Sequence, residues 1–181
     1  KAALLAGADR VTHNSSAVNL GIYRDVAGNQ TANGLDRRYG AGQLNVSNSY
    51  MIIAAGEQGS TEDGNAAASV SARGFDYDPR FGGSNSSNTT ATYPLPTSTA
   101  PQLFTASLVW NIDITGSSGV GFNTAATLHN LDLTLIDIGA GGATVAASQS
   151  LADNTENLWV VVPANAQYAL RVTRSGSFRW D

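Results

Sequence analysis

His13 and His129 are the only imidazoles in the sequence, and cysteine is absent. Nucleophilic catalysis of the Ser-His-acid kind needs a serine on a sharp turn, a histidine within hydrogen-bond reach and a carboxylate to orient that histidine. Neither histidine has such a setting. His13 lies in a polar stretch and His129 at the mouth of an expected strand, so both read as surface or turn residues. There is no Gly-x-Ser-x-Gly, and Gly116-Ser117-Ser118-Gly119 has the composition of a hairpin turn. Without cysteine, thiol catalysis, zinc ribbons and disulfide staples are excluded, although secretion is not.

Carboxylates offer a second kind of chemistry. Asp76 with Asp78, Asp153 with Glu156, and Asp132 are the acids that could face one another, and a glycosidase pair would need them about 5 to 9.5 Å apart across a cleft. Asp is also the commonest side chain for capping turns and strand ends, which is the plainer reading of all five. Asp76, Asp78, Asp153 and Glu156 are the candidates for a calcium loop, since calcium gathers carboxylate and carbonyl oxygens from loops. Asp76-Tyr77-Asp78-Pro79-Arg80-Phe81-Gly82 does not fit an EF-hand: Arg80 takes the fifth position, the glycine comes one place late, and no glutamate stands at the twelfth.

Aromatic side chains are the third candidates, because exposed rings on a sandwich face bind sugars. Trp110 runs in phase with Leu108 and Ile112 and reads as core. Trp159 runs out of phase with Leu158, Val160 and Val162 and is the candidate ligand-facing aromatic, with Tyr77 and Tyr93 able to join it.

The elements that must position these residues follow from texture and periodicity. A chain of 181 residues is long enough for one full domain. Charged residues make up only 13 % of it, while 19 glycines and abundant Ser, Thr and Asn suit short strands joined by many turns. A net charge of −4 with scattered arginines gives no basic stripe for nucleic acid. No stretch reaches the roughly 20 apolar residues that span a bilayer.

Lys1 to Ala8 reads as the end of a helix stopped at Gly7, and Ser177 to Asp181 as a strand still running. Together they suggest a piece of a longer polypeptide. A loop-rich stretch follows Ala8 and holds one helical candidate, Asn45 to Ala55. The Gly40-Ala41-Gly42 before it reads as a tight turn, since no strand feeds it and no Walker lysine exists.

After Gly64 the period becomes two. Strands are expected at Ala68 to Asp76, Thr89 to Leu95, Thr105 to Ile114, Leu131 to Leu135, Ala143 to Ser148, Leu158 to Val162, Gln167 to Thr173 and Phe178 to Trp180. This predicts a mainly β chain: an antiparallel β-sandwich of the jelly-roll kind with seven or eight strands, preceded by a short helical and loop segment.

Two blocks resemble a known family, the secreted bacterial subtilisin-like serine proteases that carry a β-sandwich behind the catalytic domain. Lys1-Ala-Ala-Leu-Leu-Ala-Gly-Ala-Asp-Arg10 resembles the end of the penultimate catalytic helix. Asp36-Arg37-Arg38-Tyr39-Gly40-Ala41-Gly42-Gln43-Leu44-Asn45 resembles the Tyr-Gly-x-Gly-x-x-Asn turn before the last one. Further on, Leu108-Val109-Trp110-Asn111, His129-Asn130-Leu131-Asp132-Leu133, Asp153-Asn154-Thr155-Glu156-Asn157 and Tyr168-Ala169-Leu170-Arg171-Val172 resemble strands of a jelly roll akin to pre-peptidase and proprotein-convertase P domains. His129 and Asn130 stand where the family has an Asn-Asp pair.

The resemblance implies that residues 1–63 are the end of a catalytic domain and 64–181 an accessory sandwich that stabilises or orients it. Catalytic residues would then lie upstream, the partner would be that upstream domain, and the location would be extracellular. It also implies that Asn154, Glu156 and Trp110 are structural, with Glu156 satisfying backbone donors of a turn. The alternatives are a carbohydrate-binding module built on Trp159 and an adhesive surface domain.

Overall fold

In the computed structural model, residues 1–10, 28–62, 69–79, 81, 88–117 and 121–176 are described. Two short helices precede eight strands: α1 (Ala2–Ala6), α2 (Val46–Ala54), β1 (Thr90–Pro94), β2 (Gln102–Val109), β3 (Asp113–Ser117), β4 (Gly121–Thr127), β5 (Leu131–Asp137), β6 (Ala143–Ser148), β7 (Thr155–Val162) and β8 (Tyr168–Arg174). All strand pairings are antiparallel. One sheet has the order β1-β8-β5-β6, β2 pairs with β7, and β3 pairs with β4 as a separate hairpin. The nested pairing of β1 with β8 and β2 with β7 places these pairs in opposite layers, and the layers close on one core as a β-sandwich.

Alternation explains which side chains enter that core. Leu131, Leu133 and Leu135 point in from β5, Tyr168 and Val172 from β8, and Ala91 from β1. They meet Ala106 of β2 and Leu158 and Val162 of β7. Phe81 and Trp110 belong to the same cluster. Helix α2 starts where Asn45 caps it, the Asn45 side chain accepting from the Asn48 N–H at 2.9 Å. Helix α1 crosses α2 at Gly7, where a β-carbon would come within 2.8 Å of the Ser49 nitrogen.

Four features differ from expectation. Residues 69–76 form no strand: Val70 donates to Pro94, Ser71 to the Gln58 side chain and Phe75 to Gly56, leaving only an isolated parallel bridge between Glu57 and Phe75. The run Thr105 to Ile114 is broken rather than continuous. At Trp110 the chain is captured by Asn154 and β2 ends, so Ile112, just before β3, and Ile114, within β3, are exposed instead of joining Leu108 against the core. Strand β4 was not expected, because Gly121-Phe-Asn-Thr-Ala-Ala-Thr127 has no apolar alternation; its pairing with β3 forms it. Of the turn expected at Gly116 to Gly119, Gly116 and Ser117 belong to β3 and pair with Phe122 and Gly121, and Ser118 and Gly119 lie outside the described residues. The boundary expected at Gly64, the strand expected at Phe178 to Trp180, and His13 lie outside the described residues.

Glu62 fastens the segment before the sandwich to β1. Its carboxylate accepts from the Thr92 N–H at 2.7 Å and from the hydroxyls of Thr92, Thr90 and Thr61 at 2.8, 3.1 and 2.9 Å. Burial by itself would raise its pKa. The hydrogen bonds, led by the Thr92 N–H, outweigh burial and hold the carboxyl below its ordinary value. Such a group adds stability above its unfolded pKa and loses it as pH falls through the folded one. Glu62→Gln is therefore expected to cost about 1–3 kcal/mol at neutral pH and to flatten the acid-side loss of stability. Urea denaturation of both proteins at neutral and acid pH measures this, and an equal acid-side loss in the two would contradict it.

Candidate functional site

Strand β7 places its residues alternately on two faces. Glu156, Leu158, Val160 and Val162 face the sandwich interior, and Thr155, Asn157, Trp159 and Val161 face outward. The outward residues are met by the segment that precedes the sandwich. Asn33 donates from its side chain to the Thr155 hydroxyl at 3.0 Å, and its carbonyl accepts from the Asn157 side chain at 2.9 Å. The Asn157 oxygen accepts from Ser107 of β2 at 2.8 Å, so this buried amide is engaged at both ends.

The turn that delivers Asn33 is closed by Thr31, whose N–H donates to the Leu35 carbonyl at 2.8 Å. At its apex Gly34 has φ +77, and a β-carbon there would sit 1.8 Å from the Asn157 carbonyl oxygen. Only glycine has both the conformation and the clearance for that approach.

Arg10 makes the second contact. It is 95 % enclosed, its guanidinium lies 5.1 Å from the centre of the Trp159 ring, and it donates to the carbonyls of Leu5 and Ala8 at 3.1 and 2.8 Å. The Leu5 carbonyl lies in the last turn of α1 and the Ala8 carbonyl just past its end, so one side chain both holds the helix terminus and stacks it on β7. Trp159 thus lies on the outward face, as its phase predicts, and that face of the ring is covered by Arg10. Tyr93 sits in the other layer, packs against the core and donates to Asp76, while Tyr77 is 71 % exposed. The three rings do not form one platform.

The interior side of β7 ends in a polar corner. Glu156 is fully buried; its Oε1 accepts from the Ser150 N–H at 2.7 Å and its Oε2 from the Ser148 hydroxyl. Ser150 in turn donates from its hydroxyl to Asp153 at 2.7 Å. Beside it, the Asn154 side chain donates to the Trp110 carbonyl at 2.9 Å, the Trp110 N–H donates to the Asn154 carbonyl at 3.2 Å, and the indole N–H donates to the His129 carbonyl at 2.8 Å. Glu156 does satisfy a turn backbone donor, and Trp110 and Asn154 are structural partners.

The calcium candidates divide between two places. Asp153 and Glu156 share Ser150 in this corner, and Asp76 and Asp78 lie on the 71–79 segment near Tyr93. Among the described residues no group of three or more His, Cys, Asp or Glu is arranged to hold a metal ion. His129 lies 3.9 Å from the Asp113 carboxylate, a weak pair at the base of the β3–β4 hairpin. Among the described residues no helix is long and apolar enough to cross a membrane.

Asn33, Gly34, Ser148 and Ser150 escape a reading of motifs, and the motifs that contain Arg10 and Asn157 do not show their contacts with Trp159 and Asn33. The dipeptide Asn33-Gly34 is the one local signal, a turn type that favours positive φ. No protein-family model and no curated protein gives a significant match to this chain.

Gly34→Ala is expected to unseat the turn from β7, adding the steric clash to about 1–3 kcal/mol of backbone strain. Gly28→Ala is the control, because Gly28 has φ +86 but nothing within 4 Å of its would-be β-carbon. Thermal melts should show the larger loss at Gly34, with Trp159 newly open to acrylamide quenching. Equal losses at the two glycines would contradict the close docking.

Proposed function

We propose that this chain is a non-catalytic accessory region of a secreted subtilisin-like serine endopeptidase. In this reading residues 1–63 are the closing segment of the catalytic domain, and the sandwich stabilises or orients that domain. The observation that carries the reading is the docking of the N-terminal segment on the outward face of β7. It is held there by Arg10 on Trp159 and by Asn33 and Gly34 on Thr155 and Asn157. A segment fixed so specifically to the sandwich would transmit the position of whatever packs on its other surfaces.

Those surfaces are apolar. Leu4, Leu44, Val46, Tyr50, Met51 and Ile53 are all exposed, in a stretch whose helices carry no charged residue. Large exposed apolar groups on and just before these two helices fit a surface that packs against a further body. The glycan-binding alternative is less favoured, because Arg10 covers the Trp159 face that a sugar would need.

The chain alone is expected to hydrolyse neither casein nor a chromogenic peptide. Hydrolysis blocked by a serine-directed inhibitor would overturn the non-catalytic assignment. Light scattering is expected to show concentration-dependent association that the double variant Met51→Ser, Ile53→Ser reduces. A wild-type chain that stays monomeric at high concentration would remove the support for a packing face on the helices.

A further inference from the structure

Strand β2 is paired along one edge. All eight of its residues, Gln102 to Val109, are in register with β7, and among the described residues no other strand is hydrogen-bonded to it. In an antiparallel pair half of the backbone N–H and C=O groups of each strand point away from the partner, so β2 presents a row of them along its second edge. A cavity of about 860 Å³ follows β2 from Gln102 to Leu108, and a second of about 770 Å³ continues from Leu108 to Ile114. The two share Asp76, Tyr93, Leu108 and Val172 and so make one groove along that edge. At strand rise, β2 gives it a length of about 26 Å.

One wall of the groove is α1, which brings the small residues Ala2, Ala3, Ala6 and Gly7, and the other is β1 with the segment 70–76. Its origin is the inequality of the layers. The β1-β8-β5-β6 sheet has four strands and the β2-β7 layer opposite it has two, so the inward side chains nearest β1 are incompletely covered. Tyr93, Leu95, Phe104, Leu108 and Leu170 all pack against the core and all remain only partly buried.

We propose that this groove binds an extended segment of a separate polypeptide as a strand added to β2. Alternate apolar side chains of that segment turn onto Phe104, Leu108 and Leu170, and a basic residue lies at the Val109 end. Main-chain donors and acceptors at strand spacing satisfy the row on β2, whereas a purely apolar ligand would bury that row without partners. Charge distinguishes the two ends. The cavity at the Val109 end is lined by Asp76, Asp78 and Asp113 and, among the described residues, by no Lys, Arg or His, whereas the other has Arg10 and Arg73 beside Asp9 and Asp76. A second copy of the chain is a poor occupant, because its own β2 edge is recessed between the same two walls.

The test uses the whole chain and synthetic nonapeptides of alternating valine and threonine that carry two lysines at one end or the other. In the free chain, alternate backbone amides along 102–109 should exchange rapidly, and a bound peptide should slow them by about tenfold or more. Peptides N-methylated on one or the other set of alternate residues separate strand addition from apolar contact. Only the set facing β2 should weaken binding, by about tenfold or more. Glutamates in place of the lysines should weaken it roughly two- to fivefold, and the double variant Asp78→Lys, Asp113→Lys should reverse that preference. Failure of every peptide to bind, equal effects of the two methylation patterns, or an unchanged charge preference in the double variant would overturn the proposal. So would edge amides already protected in the free chain, since the chain would then fill the groove itself, or protection that rises with chain concentration, since a second copy would then fill it. The exchange and methylation measurements are made on the wild type and decide the matter even if the double variant does not fold. None of these outcomes depends on the proposed protease association.

Discussion

Strand β7 buries three polar residues in succession, Thr155, Glu156 and Asn157, at 6, 0 and 1 % exposure. A strand of a sandwich ordinarily buries one face and leaves the other to water, so a continuous buried polar run must find partners on both sides or cost several kcal/mol. The partners come from different parts of the chain. The inward residue is satisfied by Ser148 and Ser150 at the β6–β7 corner, and the outward ones by Asn33 and Ser107. Each connection also fixes an approach that sequence-local forces could not set, including the glycine-only contact at Gly34.

This run divides the labour of the two layers. Below it the sandwich is held by ordinary apolar packing, with Leu133, Leu135 and Leu158 almost wholly enclosed. Above it the N-terminal segment is held by a few directional contacts, namely one cation on one ring, one amide bridge and one backbone approach. Directional contacts of this kind specify geometry more than they add stability, which suits a segment whose place on the sandwich matters. The same economy appears at Trp110, where Asn154 ends β2 and turns the chain toward the β3–β4 hairpin.

Much of the sandwich was legible because alternation is a local property. Strand β6 coincides with the run Ala143 to Ser148, and β1, β5 and β8 each lie within a residue or two of their apolar alternation. Helix α2 was legible from its apolar spacing and lies within Asn45 to Ala55, with Asn45 as its cap. What local pattern could not show is where distant polar groups interrupt it. The break after Val109 is made by Asn154, 44 positions away, and the docking of Asn33 on Thr155 spans 122 positions. Trp110 was legible as structural from its phase with Leu108, whereas Glu156 read from its residue type alone as a candidate calcium ligand, and only the resemblance implied its place as acceptor of a turn donor. The cover on Trp159 was not legible, because the motif that ends at Arg10 carries no sign of a contact with a tryptophan so far along the chain.

The measurement that most directly tests whether the buried polar run of β7 holds the N-terminal segment in place is a double-mutant cycle between Asn33→Ala and Thr155→Val. The two side chains meet at 3.0 Å in a buried site, so each single change leaves one partner unsatisfied. Coupling of about 0.5–3 kcal/mol in denaturant unfolding is the predicted result, with the double variant losing less than the sum of the singles. Additive losses would show that the two residues act independently, and would contradict the docking of residues 28–40 on β7.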